Sequence, residues 1–253
     1  MKIAYVLSGQ PRNFTKGYEI ISEFLKKQSN IEVDFFFHCW TLIETQTYKT
    51  SPFRNISTRD IEYKNSIKDD LLRLYTPKAY IFEEQKENFN EIDYSNTLAY
   101  NQTPNWLKTN TYNMLSNFYS KTKSRDVFQE YITLTNTKYD CVIYSRFDLY
   151  NEINLILDRL DLSYTYVSDL LITNPLIPDF FIVCPQDCFL SWFTFYDNLK
   201  NILDNHELNT LMIEKKMNIL LGVEQIFTGS YLFHNKTFDR LVYSKEIPNF
   251  IYI

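Results

Sequence analysis

Residues 3–7 form a short, uninterrupted apolar run that stops at Ser8-Gly9-Gln10-Pro11-Arg12. Such a run reads as a strand buried on both faces of a parallel sheet. Apolar residues then recur at helical spacing, at Tyr18, Ile21, Phe24 and Leu25, and predict a helix over 15–27. A second strand is expected over 33–37, ending at His38-Cys39-Trp40. Residues 41–59 are polar and aperiodic and read as a loop. A helix over 61–75, closed by Pro77, precedes a third strand at 80–82. From 83 to 108 the pattern is lost, which predicts a long irregular connection. The longest helix is expected over 111–134, with Leu115, Phe118, Thr122, Val127 and Tyr131 near one side. A strand over 139–144 runs straight into Ser145-Arg146-Phe147-Asp148. Further strands are expected at 170–173 and 180–184. Helices follow over 187–205 and within 222–234, and the tail at 250–253 is strand-like.

Strands alternating with helices predict an α/β domain with a mainly parallel central sheet flanked by helices. In such sheets ligands bind at the carboxyl ends of the strands. The polar sequences at 8–12, 38–40 and 146–148 fall at those ends. No internal repeat or low-complexity segment interrupts this order, and 253 residues suffice for one core.

Composition narrows the function classes. The formal net charge is −5 and no long Lys/Arg run occurs, so nothing resembles an electrostatic footprint for nucleic acid. The aromatic content is high, with 20 Tyr, 20 Phe and 3 Trp; a biased overall composition accounts for most of it, stacking platforms for sugars or bases for the remainder. Cys184 and Cys188 stand four apart with no second close pair to complete a zinc knuckle. Together with Cys39 and Cys141 they read as free thiols in a reducing compartment. The run at 3–7 is too short for a signal-peptide core, and no stretch approaches the ~20 apolar residues of a membrane span. The expectation is a cytoplasmic protein without a transmembrane segment.

Two segments could carry chemistry. In the first, Gly9 permits a sharp turn or close ligand approach, and Arg12 is suited to a diphosphate. An ordinary strand-to-helix turn with a solvated Arg explains it equally well. It is neither a dinucleotide fingerprint nor a P-loop, because the required glycines and the Gly-Lys pair are absent. In the second, Asp148 stands at a strand end, where a carboxylate can hold a divalent cation bridging substrate phosphates. A plain salt bridge between Arg146 and a neighbouring carboxylate is the alternative.

Several segments, taken in order, resemble a broad family of surface-polysaccharide glycosyltransferases found in capsule loci and large viruses. They are IAYVLSGQPRNF, VDFFFHCW, LYTPKAYIFEE, NFYSKTKSRDVF, YDCVIYSRFDLY, PDFFIVCP and GVEQIFTGSYL, running from residue 3 to about residue 232. No single segment is highly specific; their joint order carries the resemblance. It implies a GT-A-like, nucleotide-diphospho-sugar transferase fold in a single domain over 1–253. Residues 1–150 would form the donor-nucleotide half and 151–253 the acceptor half.

The resemblance also implies roles. The activity would be hexosyl or pentosyl transfer from a nucleotide-diphosphate sugar to a glycan acceptor in polysaccharide biosynthesis. Asp148 matches the last Asp of an Asp-x-Asp motif that binds Mn²⁺ or Mg²⁺, and His234 is a further candidate ligand. Arg146 replaces the motif's first Asp, and its guanidinium could itself neutralise diphosphate charge. Ser8, Gly9, Gln10 and Arg12 would face the nucleotide, and Asp34 and His38 would border its base or ribose. Asp34 as a partly solvated strand residue and His38 as a hydrogen-bonded core histidine are the alternatives. Tyr119 and Lys123, four apart on one helix face, would reach the sugar or diphosphate, with a plain amphipathic helix as the alternative. On the acceptor side, Glu224 is the expected base and Asp179 a sugar or acceptor ligand; a carboxylate capping a helix start and a plain loop residue are the alternatives. Two other functions stay open: a catalytically inactive sugar- or nucleotide-binding relic of the same fold, and a nucleotidyltransferase.

Overall fold

A computed structural model of the chain describes residues 1–41, 46–48, 59–61, 66–89, 93–103, 111–169, 176–214 and 223–247. Its centre is a seven-stranded sheet built from β1 (Lys2–Gly9), β2 (Glu32–Thr41), β5 (Ala79–Glu84), β6 (Cys141–Arg146), β7 (Thr165–Ser168), β8 (Phe181–Cys184) and β9 (Leu241–Ser244). The order across it is β5-β2-β1-β6-β8-β7-β9. β5, β2, β1 and β6 are parallel neighbours, with Ser8 in register with both His38 and Arg146. β8 is antiparallel to both β6 and β7, and β7 is parallel to β9. β8 is therefore the one reversed strand of this sheet among the described residues. A separate two-stranded ladder joins β3 (Gln46–Tyr48) to β4 (Arg59–Ile61).

The apolar strand runs are continuous because both sheet faces are covered. Ala4, Val6, Phe36, Val142 and Tyr144 point into one core, shared with the long helix α4 (Thr111–Thr135) and with α5 (Gln186–Trp192), α6 (Phe195–Asp204), α7 (His206–Glu214) and α8 (Val223–Asn235). Ile3, Tyr5, Leu7, Phe37, Cys141 and Ile143 point into the other, under α1 (Phe14–Lys26) and α2 (Ile67–Tyr75). Most of the large side chains with essentially no exposure are aromatic, including Trp40, Trp192, Tyr5, Tyr75, Tyr144 and Tyr231. Core filling thus accounts for much of the aromatic excess. All four cysteines are free.

Several expected elements change. The helix expected over 187–205 breaks at Phe193-Thr194, so that Phe193 and Phe195 both enter the aromatic cluster with Trp192 and Phe227. The helix expected from 61 begins at Ile67, because Ile61 pairs with Gln46 in the small ladder. The connection over 83–108 contains the short helix α3 (Leu98–Gln102), capped by the Thr97 side chain. The expected strands at 170–173 and 250–253 lie outside the described residues. No described helix is long and apolar enough to cross a membrane.

Two packing details set up the site. α4 antiparallels the strands it covers: its first half meets their carboxyl ends, while Phe128 and Tyr131 meet Phe36 further back. It is buried on more than one side, with Ser116, Ser120, Lys121, Thr122 and Ser124 all enclosed. On the opposite sheet face, α1 approaches the chain leaving β6 so closely that a Cβ on Gly17 would collide with the Phe147 carbonyl.

Candidate active site

The carboxyl end of β1 closes with Gly9 at φ +109°, a conformation L side chains rarely adopt. A Cβ there would meet open space. Arg12 follows, with a guanidinium nitrogen 3.5 Å from Asp148 Oδ2. Its Nε is buried and donates to no acceptor among the described residues. At the neighbouring end of β6, Arg146 grips Asp148 with two parallel hydrogen bonds, Nε to Oδ1 and a terminal nitrogen to Oδ2, both 2.8 Å. This fork is the strong, geometrically specific form of the Arg–carboxylate pair.

The reversed strand adds a second charged group. The Arg146 amide donates to the Phe180 carbonyl at 3.2 Å, which sets Asp179 beside the end of β6. There Lys121 Nζ donates to Asp179 Oδ2 at 2.9 Å and also to Asn117 Oδ1, and Asn117 Nδ2 donates to Asp179 at 3.2 Å. The Lys121 and Asp179 side chains are only 1% and 9% exposed. The ammonium also lies over the Tyr144 and Phe227 rings. Burial by itself would raise the Asp179 carboxyl, but the Lys121 charge, with Arg146 behind it, holds it down at about 2. Burial pulls Lys121 below its ordinary value, against the counter-pull of Asp179.

Glu224, in the first turn of α8, stands in the field of the same group. Burial raises its carboxyl above the ordinary value, and the like charge of Asp179 raises it further. Among the described residues no other side chain hydrogen-bonds to it. Two buried carboxyls are thus pushed apart, one fixed as an anion and the other made more basic, which is how one site separates the roles of two acids.

The other expected residues sit differently. Ser8 Oγ shares a buried 2.8 Å hydrogen bond with the Tyr144 hydroxyl. Gln10 Nε2 donates to Gln85 Oε1, tying the ends of β1 and β5 together. His38 is fully buried, with Nδ1 2.8 Å from Ser120 Oγ and Nε2 3.2 Å from Glu83 Oε2. Burial lowers it, opposed by Glu83, so it has the setting of a hydrogen-bonded core histidine. Tyr119 donates to the other Glu83 oxygen and stacks on Trp40. Lys123 is half-exposed beside Asp126.

Two residues lie apart. Asp34 is the third residue of β2, at the amino end of the sheet, where it accepts from the Tyr139 hydroxyl and pairs with Lys2 and Lys78. His234 ends α8 and bonds Thr194 Oγ at 3.0 Å; ten residues of helix, about 15 Å, separate it from Glu224. Lys121 and Asn117 belong to the site but not to the expected set. The signal for Lys121 is its position at i+7 from Met114 and i+3 from Phe118, a charge on the apolar stripe of α4.

A divalent cation was expected on Asp148 and His234, and among the described residues the donor set around Asp148 does not fit one. Both Asp148 oxygens are engaged by guanidinium, His234 is elsewhere, and no group of three or more His, Cys, Asp or Glu able to hold a metal occurs among the described residues.

No protein-family model matches the chain, and no curated protein does. Among the solved structures that are similar, two align over nearly the whole chain at low identity. The galactosyltransferase LgtC, in complex with donor and acceptor sugar analogues, aligns over 96% of this chain and 73% of its own, with a TM-score of 0.40 and 11% identity. The glycosyltransferase GlyE of Streptococcus pneumoniae TIGR4 aligns over 97% of this chain, with a TM-score of 0.34 and 10% identity; the chain spans 45% of that structure's length.

Proposed function

We propose that this chain is a glycosyltransferase that moves a sugar from a nucleotide-diphosphate donor to a glycan hydroxyl. The observation that carries it is the convergence, where β1 and β6 end, of an anion-binding element with a separated pair of carboxyls. Arg12 pairs with Asp148 of the Arg146–Asp148 fork, Gly9 ends β1 beside open space, and Lys121, Asp179 and Glu224 lie in the field of Arg146. Inverting sugar transfer needs both: charge compensation for a departing diphosphate and a base for an acceptor hydroxyl. The ordered family-like segments support the same reading.

Arg12 and Arg146 compensate the diphosphate. Asp179, held as an anion by Lys121, orients hydroxyls of the sugar or acceptor and is a poor base. Glu224, raised and unclaimed by another side chain among the described residues, takes the acceptor proton as the glycosidic bond forms, and the leaving nucleoside diphosphate departs with the donor's bonding pair. Residues 1–150 supply the donor grip, and later residues meet the acceptor.

The test is calorimetry of the purified chain against a panel of nucleotide sugars, followed by product analysis with the donor that binds. Transfer to a glycan, or slow donor hydrolysis, supports the reading. Binding without turnover assigns an inactive relic. No binding by any donor overturns it.

A further inference from the structure

Arg146 lies in a cluster of charged groups among the described residues: Arg12 and Arg146 pair with Asp148, Lys121 pairs with Asp179, and Glu224 lies in the same field. Asp148 offers a divalent cation little: each of its oxygens accepts a 2.8 Å hydrogen bond from Arg146, and Arg12 stands 3.5 Å from Oδ2. The Arg12 Nε–H is buried and has no acceptor among the described residues. A Cβ on Gly9, three residues earlier, would meet open space.

We infer that the donor's diphosphate is held by Arg12 and Arg146 without a divalent metal, and that Asp148 aims the Arg146 guanidinium instead of ligating a cation. The inference rests on the nucleotide-sugar reading above. A planar guanidinium is permanently charged and presents paired donors to phosphate oxygens. It can therefore compensate the charge that develops on a leaving diphosphate. Asp148 acts through Arg146 and is a positioning residue.

The experiment measures binding of UDP, GDP, CDP and ADP to the whole chain by calorimetry, once in EDTA and once in MnCl₂. At least one of them binds in EDTA, with an affinity within about twofold of that in MnCl₂. An affinity that rises about tenfold or more with manganese overturns the metal-free grip and leaves the transferase reading standing. Failure of all four to bind under both conditions overturns both. Arg146→Asp exchanges the guanidinium for a potential ligand: binding in EDTA is lost and manganese restores it. Binding by that variant in EDTA at the parent affinity overturns the assignment of Arg146. Should Arg146→Asp not fold by circular dichroism, Arg12→Ala provides the second check. It weakens nucleoside diphosphate binding in EDTA by about tenfold or more, the loss of a charge-assisted hydrogen bond, and unchanged affinity overturns the role of Arg12.

Discussion

Replacing Lys121 by Met removes the ammonium from between Tyr144 and Phe227 while keeping a long, flexible, apolar side chain in its volume. The Asp179 carboxylate then stays enclosed, with Asn117 as its remaining side-chain donor and Arg146 as the nearby charge. Stripping one partner from a buried ion pair costs about 3–5 kcal/mol, because the other charge is left uncompensated. In a domain of this size each kcal/mol moves the melting midpoint by about 2–4 °C, so Tm falls by on the order of 10 °C. The pH dependence separates this cause from lost packing. A folded carboxyl held near 2, against an ordinary 3.8, contributes about 2–3 kcal/mol of stability above pH 4. That contribution is lost as pH falls through 4 towards 2 and Asp179 takes up its proton. The gap between wild type and Lys121→Met should therefore be widest near neutrality and narrow on acidification. Adding Asp179→Asn should recover much of the loss, since no charge is then buried alone. Thermal unfolding followed by circular dichroism at several pH values measures all three. A Lys121→Met protein that melts with wild type at pH 7, or one whose deficit is the same at pH 3, refutes the reasoning.

Glu224→Gln should lower turnover far more than it weakens donor binding, as separate kcat and binding measurements show; equal turnover places the base elsewhere or makes the transfer retaining. In the kcat/KM profile of the parent enzyme, activity should rise with pH through a value above the ordinary 4.5 of a glutamate. Asp179→Asn removes the like charge that helps raise Glu224, so that acidic limb should move to lower pH; a limb that stays in place excludes Glu224 as its source. Gly17→Ala drives a methyl into the Phe147 carbonyl, a backbone atom that moves only with the chain around it, and should cost about 1–3 kcal/mol in denaturant melts. It should also weaken nucleoside diphosphate binding, because Phe147 lies between Arg146 and Asp148.

The legible parts of the fold were those whose pattern is local. β1 and β6 are continuous apolar runs, and α4 begins where its periodicity begins. β7 and β9 escaped because Thr-Tyr-Val-Ser and Leu-Val-Tyr-Ser are four residues long, too short for either period to register. The reversal of β8 is a non-local pairing that its own residues do not encode. At the site, the strand-end rule located Arg12, Arg146 and Asp148, which the structure brings together. The resemblance set Asp34 beside the nucleotide, whereas β2 starts at Glu32 and only its last residues reach the carboxyl edge. Lys121 was missed because a helix covered on one side would keep its charges outside. α4 is enclosed on two sides, and the lysine two positions from Tyr119 points the other way, towards Asp179.

The reversal of β8 also fixes when the site can exist during synthesis. Everything in the donor half, including Lys121, emerges from the ribosome before Asp179, its counter-charge 58 residues later. Until Phe181 pairs with Ser145 and the Arg146 amide finds the Phe180 carbonyl, the ammonium has no carboxylate to enter the core with. The nascent parallel strands therefore carry an open, charged seam, and a chain interrupted before Asp179 cannot close it. Docking of the antiparallel strand both extends the sheet and neutralises that seam, so pairing of β8 and closure of the Lys121–Asp179 ion pair go together.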